Sequence, residues 1–230
     1  MPYRKFLVAL LISSFAFLTA EAAKPPKVRK KDRKKDIEMV TSLGTIRLRL
    51  SDSTPQHRDN FIRLVKTQFY DGIRFHRVIE KFMIQAGDAD TKTWPKGAPE
   101  KYTIPAEFVP GLFHHKGALA AAREGDNVNP TRASSGTQFY IVQGKPFTDA
   151  QLDTMENRYV KAKIPVDQRE TYKTLGGSPH LDRNYTVFGR VISGLEVVDA
   201  IAAVKTTGRA GNDVPVEPVF IKSVKLVKRK

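Results

Sequence analysis

Apolar and polar positions alternate residue by residue along much of the chain, the pattern of half-buried strands, and fall into helical spacing in only a few places. Ile46, Leu48 and Leu50 alternate with Arg47 and Arg49, and Ile37-Glu38-Met39-Val40 precedes them across Ser42-Leu43-Gly44. This predicts a β-hairpin with one basic, solvated face. Thr54-Pro55 then opens a helix, with Thr54 as N-cap and Pro55 in the first helical position. Phe61, Leu64, Val65 and Gln68 mark the stripe that faces the sheet. Val78-Ile79 and Phe82-Met83-Ile84, parted by Glu80-Lys81, read as strand, tight reversal and strand. Further strands are expected at 117–122, 138–142, 185–192 and 216–227, and a second helix at 195–204. Residues 89–116, with Pro95, Pro99, Pro105 and Pro110, and residues 123–136 read as irregular. Two charged helical pieces, one from Thr148 and one after Pro165, interrupt the β pattern between 147 and 175. The pattern predicts a closed, β-dominated fold with one helix early and one late.

Alternation inside the stretch 74–88 also predicts a site. Phe75, Arg77 and Ile79 are expected on one strand face, and Met83 and Gln85 on one face of the next strand. That brings a guanidinium beside a thioether, an amide and an aromatic ring, as a small apolar pocket with two polar groups at its edge. No acid, base or nucleophile pairing accompanies it. His76 falls on the opposite face and is expected to be a structural hydrogen-bonding residue. His57 and His114-His115 lack metal-ligand spacing. Asp88-x-Asp90 begins like a calcium loop, but Trp94 and Pro99 occupy its later positions. No metal and no cofactor is expected.

The ends of the chain have a composition of their own. Arg4-Lys5 precede an apolar run from Phe6 to Leu18, and Ala20-Glu21-Ala22 supplies small residues before a cut after Ala22. This is the layout of a signal peptide over residues 1–22, since 13 apolar residues fall short of the ~20 a spanning helix needs. The expected location is therefore outside the cytoplasm, in the periplasm if the source is a Gram-negative bacterium. With no cysteine, the chain needs no disulfide there. Of the net charge of +15, +6 is concentrated in residues 23–36, where eight lysines and arginines oppose Asp32 and Asp36. That segment is expected to be a disordered linker that keeps the protein soluble, with a weak contact to an anionic membrane surface as its functional alternative. No specific nucleic-acid partner is expected, and the protein is expected to be a monomer.

The stretch Phe75-His76-Arg77-Val78-Ile79, followed by Phe82-Met83-Ile84-Gln85-Ala86-Gly87-Asp88, closely resembles the signature of the cyclophilin family of peptidyl-prolyl cis-trans isomerases. Ser135-Gly136-Thr137-Gln138-Phe139-Tyr140-Ile141 is similar to that family's second hallmark. Leu181-Asp182, then Thr186-Val187-Phe188-Gly189-Arg190-Val191, follow in the family's order. The resemblance runs over 37–230. It implies an eight-stranded antiparallel barrel, closed and capped by a helix at each end, with 147–175 as a helical surface insertion that compact members lack.

The reaction so implied is rotation about X–Pro bonds of proline-containing polypeptides. That step takes about tens to hundreds of seconds unaided and needs complementarity to the twisted amide rather than a nucleophile. The resemblance assigns Arg77 as the catalytic donor to the prolyl side. Phe82, Met83, Tyr140 and Leu181 match walls of the proline pocket, and Gln85 and Ala122 match positions that meet the substrate backbone. Gln138 is expected to share the face of Tyr140, with Phe139 turned into the barrel. Departures from the family pattern are Arg123 for the usual Asn, Tyr185 for His, Tyr140 for the commoner Phe, and His180 for the Trp of cyclosporin-sensitive members. His180 offers less apolar area than Trp and no indole N–H, so poor cyclosporin inhibition is expected. Three function classes follow: an exported isomerase, a proline-peptide-binding chaperone with little turnover, and a surface-binding protein led by its basic arm. Arg77 within an intact pocket favours the first.

Overall fold

The computed structural model describes residues 26–92 and 101–229. The expected signal peptide, residues 23–25 of the basic segment, and Trp94, Pro95 and Pro99 lie outside them. Among the described residues ten strands and four α-helices follow in order: β1 Lys35–Thr41, β2 Gly44–Leu50, α1 Pro55–Lys66, β3 Arg77–Ile79, β4 Met83–Ala86, β5 Thr103–Ile104, β6 Ala118–Ala121, β7 Ser134–Ser135, β8 Phe139–Val142, α2 Asp149–Met155, α3 Val166–Thr174, β9 Val187–Ser193, α4 Leu195–Ala202 and β10 Ile221–Lys228. Eight of the strands form one antiparallel sheet in the order β10-β1-β2-β9-β6-β8-β4-β3, and β5 pairs with β7 alone.

The expected closure of that sheet into a barrel is corrected: its ladder ends at β10 and β3. Among the described residues the two ends are joined by an isolated bridge, Arg74 to Phe220, with Phe75 N–H donating to Val219 O, Ile221 N–H to Ile73 O and Gly72 N–H to Ile221 O. The ladder stops because β3 is three residues long and its Val78 N–H donates to Asp213 O in a loop rather than to a strand.

Period-two alternation divides the sheet's side chains between two faces. Ile84 and Ala86 of β4, Leu119 and Ala121 of β6, and Phe139 and Ile141 of β8 enter the main core. That core also takes Phe61, Leu64 and Val65 of α1 and Val198 and Ile201 of α4. Met83, Ala118, Ala120, Tyr140 and Val142 belong to a smaller cluster on the other face. Each of the larger core side chains so buried, Leu, Ile, Val or Phe, contributes about 1.5–3 kcal/mol, which anchors the strands that carry the second face.

Two other expectations are corrected. The basic segment, where described, is anchored at its C-terminal part rather than disordered: β1 begins at Lys35, Asp32 is buried and accepts from the Lys66 ammonium at 2.9 Å, and Arg33 makes a two-pronged contact with Asp59. The hairpin's basic face is partly buried and partly offset rather than freely solvated, because the fully buried Asp36 carboxylate meets Arg47, Arg49 and Arg229 at 3.8, 2.9 and 3.6 Å. Thr54 is the N-cap residue of α1 and Pro55 its first helical residue, as expected, although the buried Thr54 hydroxyl has no hydrogen-bond partner among the described residues. The Glu107 carboxylate caps that helix instead, accepting from Gln56 N–H at 3.2 Å and His57 N–H at 3.0 Å. A remote anion thus supplies what the helix terminus lacks.

Residues 147–175 fold as expected into two helical pieces, and they have a core of their own. Leu152, Val160, Ile164 and Tyr172 are buried together with Phe113, Phe147 and Met155 against them. Thr148 and Gln151 make a reciprocal capping box at the start of α2. The Glu156 carboxylate is the polar centre. Its pKa is held from the usual 4.5 down to about 2, first by the hydrogen bond from Lys163, then by Ile164 N–H and Arg169, against the cost of burial. A depressed folded-state value stabilises the fold above 4.5 and ceases to do so as pH falls through about 2. Amide protection factors across 149–174, exchange corrected for its intrinsic pH dependence, should therefore fall between pH 4.5 and 2. Glu156→Gln should be loosened already at neutral pH and show a flatter profile; an acid response as steep as that of the unmodified protein would refute this role.

Candidate active site

The register of four strands draws a line of side chains across the second face. Arg77 of β3 stands opposite Gln85 of β4, Gln85 opposite Tyr140 of β8, and Tyr140 opposite Ala120 of β6. Gly87, at φ +91°, lets the chain leave β4 where a Cβ would collide with the Thr137 carbonyl oxygen, and a Cβ at Gly136 would overlap the Tyr102 ring. Those two contacts are why the chain needs glycine at these positions.

Over this line lies a cavity of about 150 Å³ bounded by Arg77, Phe82, Met83, Gln85, Ala122, Arg123, Tyr140, Leu181 and Tyr185. The other two expected residues border it. Gln138 accepts from the Gln85 amide at 3.2 Å, which fixes that amide's orientation. His180 is across Phe82, its ring 5.4 Å from the phenylalanine's, and faces a neighbouring groove instead.

Arg77 is the available cation of the cavity. Its side chain is 42% exposed and meets Asp213 only at ion-pair distance, Nε to Oδ2 3.9 Å. Arg123 is fully engaged: it lies 4.5 Å over the Tyr185 ring, donates to Asn184 O at 2.8 Å and pairs with Asp126 at 2.6 Å. It acts as a wall more than as a donor.

Two expectations for the stretch 74–88 are corrected. Phe75 does not share the site face with Arg77 and Ile79, because regular strand geometry starts only at Arg77; Phe75 is in the main core. The pocket's rings come instead from Phe82, Tyr140 and Tyr185. His76 is not a hydrogen-bonding residue through Nδ1, which is buried without a partner among the described residues. Burial, the largest influence, lowers its pKa.

Beneath the cavity is a polar chain that the sequence reading missed. The Tyr140 hydroxyl is 3.0 Å from His114 Nε2, His114 Nδ1 is 2.8 Å from Asp182 Oδ1, and the Tyr172 hydroxyl donates to Asp182 Oδ2 at 2.6 Å. All four residues are buried. Burial pushes both phenols up, so their protons stay on, and the Asp182 charge raises Tyr172 further. With His114 Nδ1–H donating to Asp182, Nε2 accepts from Tyr140, and every polar atom of the chain is paired. The network ties the cavity floor to α3 of the insertion. Its one signal in the sequence was Tyr at 140, a hydroxyl on a pocket wall that then needs a partner.

Residues 36–226 match the family described as cyclophilin type peptidyl-prolyl cis-trans isomerase/CLD. A protein of Staphylococcus haemolyticus that carries the name peptidyl-prolyl cis-trans isomerase is 34% identical over 194 residues, 84% of this chain and 91% of that protein. A Streptococcus pyogenes protein named for both phosphatase and isomerase is 33% identical over 216 residues, and the chain spans 41% of its length. Among solved structures, a cyclophilin type isomerase of Cryptosporidium parvum superposes with TM-score 0.62 at 19% identity, covering 85% of this chain and 99% of that one. A second structure of that protein was determined in the presence of the dipeptide Ala-Pro, with TM-score 0.61. These two likenesses are of fold.

Proposed function

This chain belongs to the cyclophilin-type peptidyl-prolyl cis-trans isomerases, and from that premise we propose how its site lowers the barrier to X–Pro rotation. The supporting observation is the line Arg77–Gln85–Tyr140–Ala120 under one small, mostly apolar cavity. The proline ring enters among Phe82, Met83, Tyr140 and Leu181, which grip it without polar contacts. Arg77 donates toward the prolyl nitrogen. As the amide twists, conjugation is lost and that nitrogen becomes pyramidal and basic, so the guanidinium contact strengthens most at the top of the barrier. Gln85, oriented by Gln138, holds the substrate backbone, which passes close to Ala122. Arg123 and Tyr185 form a rigid rim. Magnetisation exchange on a short Ala-Pro peptide tests this: accelerated exchange is expected, and binding without acceleration would leave only a peptide-binding module.

We propose further that the clients are exported polypeptides and that the protein acts as a monomer outside the cytoplasm, in the periplasm if the source is a Gram-negative bacterium. The support is the order of Arg4-Lys5, Phe6 to Leu18 and Ala20-Glu21-Ala22. A mature N-terminus at Ala23 is expected by mass spectrometry of the native protein, and a retained Met1 would overturn the proposal. Contact with anionic lipid is left to the exposed Lys27, Arg29, Lys30, Lys31 and Lys34. Reduced vesicle retention of a protein with these residues neutralised is its test, and equal retention would reject it.

A further inference from the structure

The insertion gives the site a second wall. Between the reversal after β3 and helix α2 lies a groove of about 410 Å³, lined by Lys81, Phe82, Lys145, Phe147, Met155 and His180 among others. Phe82 borders both this groove and the proline cavity, so a peptide leaving the cavity over Phe82 passes directly into it. The groove's chemistry is two-part. Phe147 and Met155 pack on the insertion core and present apolar surface. Lys81 and Lys145 are exposed at its edge, and the described lining contains neither Asp nor Glu.

We propose that this groove is a subsite for substrate residues flanking the proline, and that it selects an apolar side chain next to an acidic one. Two observations commit the occupant: continuity with the cavity through Phe82, and the uncompensated positive edge beside an apolar floor. The inference rests on the isomerase reading for its substrate, a proline-containing polypeptide, but its selectivity is read from binding alone.

The test is titration of the isotope-labelled full chain with two peptides built on the same Ala-Pro core. One carries Leu and Glu on both flanks, the other Leu and Lys. The Glu peptide should bind about threefold to tenfold more tightly, the range expected of two exposed ion pairs, with shifts reaching Phe147 and Met155. In a Lys81→Glu/Lys145→Glu variant the ratio of the two dissociation constants should invert. In a Lys31→Glu/Lys34→Glu variant, which changes net charge equally away from the groove, the ratio should persist. A ratio near one in the unmodified protein, or equal loss in both variants, would overturn the proposal. If both peptides bind selectively while neither isomerises faster, the isomerase reading fails and the subsite stands.

Discussion

An Arg77→Ala protein should fold normally and isomerise X–Pro peptides at least about a hundredfold more slowly, the usual cost of removing one donor aimed at developing charge. Folding should survive because the side chain is 42% exposed and its pairing with Asp213 is long, so its loss leaves no buried group stranded. The deficit should fall on turnover more than on peptide affinity, since the guanidinium contact is strongest with the twisted amide. Arg77→Lys should recover little, because an ammonium lacks the planar fork of donors. Phe82→Ala should behave oppositely, weakening binding by removing a wall. Exchange spectroscopy paired with circular dichroism decides the matter: unchanged exchange in a folded Arg77→Ala protein would reject the proposed mechanism.

The largest effect on stability is expected at Asp182. Its carboxylate accepts from His114 N–H at 2.9 Å, His114 Nδ1 at 2.8 Å and the Tyr172 hydroxyl at 2.6 Å. Alanine would leave three buried donors without an acceptor, a loss of about 3 kcal/mol or more. For a chain of this size that lowers the melting temperature by roughly 6–12 °C. Asp182→Asn keeps the shape and one acceptor, and should cost less. Tyr140→Phe removes only the far end of the network and should cost least. The three melting curves should rank in that order; an Asp182→Ala protein melting within about 2 °C of the unmodified one would show that the network contributes nothing.

The strands that build the site were legible because their alternation is clean. Gln138, Tyr140, Met83 and Gln85 fall on one face and Phe139 and Ile84 on the other, as periodicity requires. Alternation misled at Phe75 because it was extended two residues upstream of where the strand begins. What stayed hidden was pairing over long sequence separations. Glu107 caps a helix 50 residues earlier, and Asp36 neutralises Arg229 from the other end of the chain. Tyr140, His114, Asp182 and Tyr172 likewise meet only once the sheet has curled. Closure was expected from the strand pattern and sharpened to an eight-stranded barrel by the resemblance; the short β3 and its loop partner decided otherwise. His180 illustrates a third limit. Its position in the motif was readable, but which of two adjacent hollows it faces depends on an insertion whose placement the motif does not encode.

The two-sided sheet has a consequence for how such a protein can change over generations. On β8, Phe139 and Ile141 belong to the main core, and Tyr140 between them belongs to the site. Under the proposed mechanism, adjacent codons answer to different pressures, one to remaining folded and the next to the choice of client. A lineage could revise its peptide preference at alternate residues of β4 and β8, and with the insertion along the flanking groove, while the intervening residues kept the scaffold fixed.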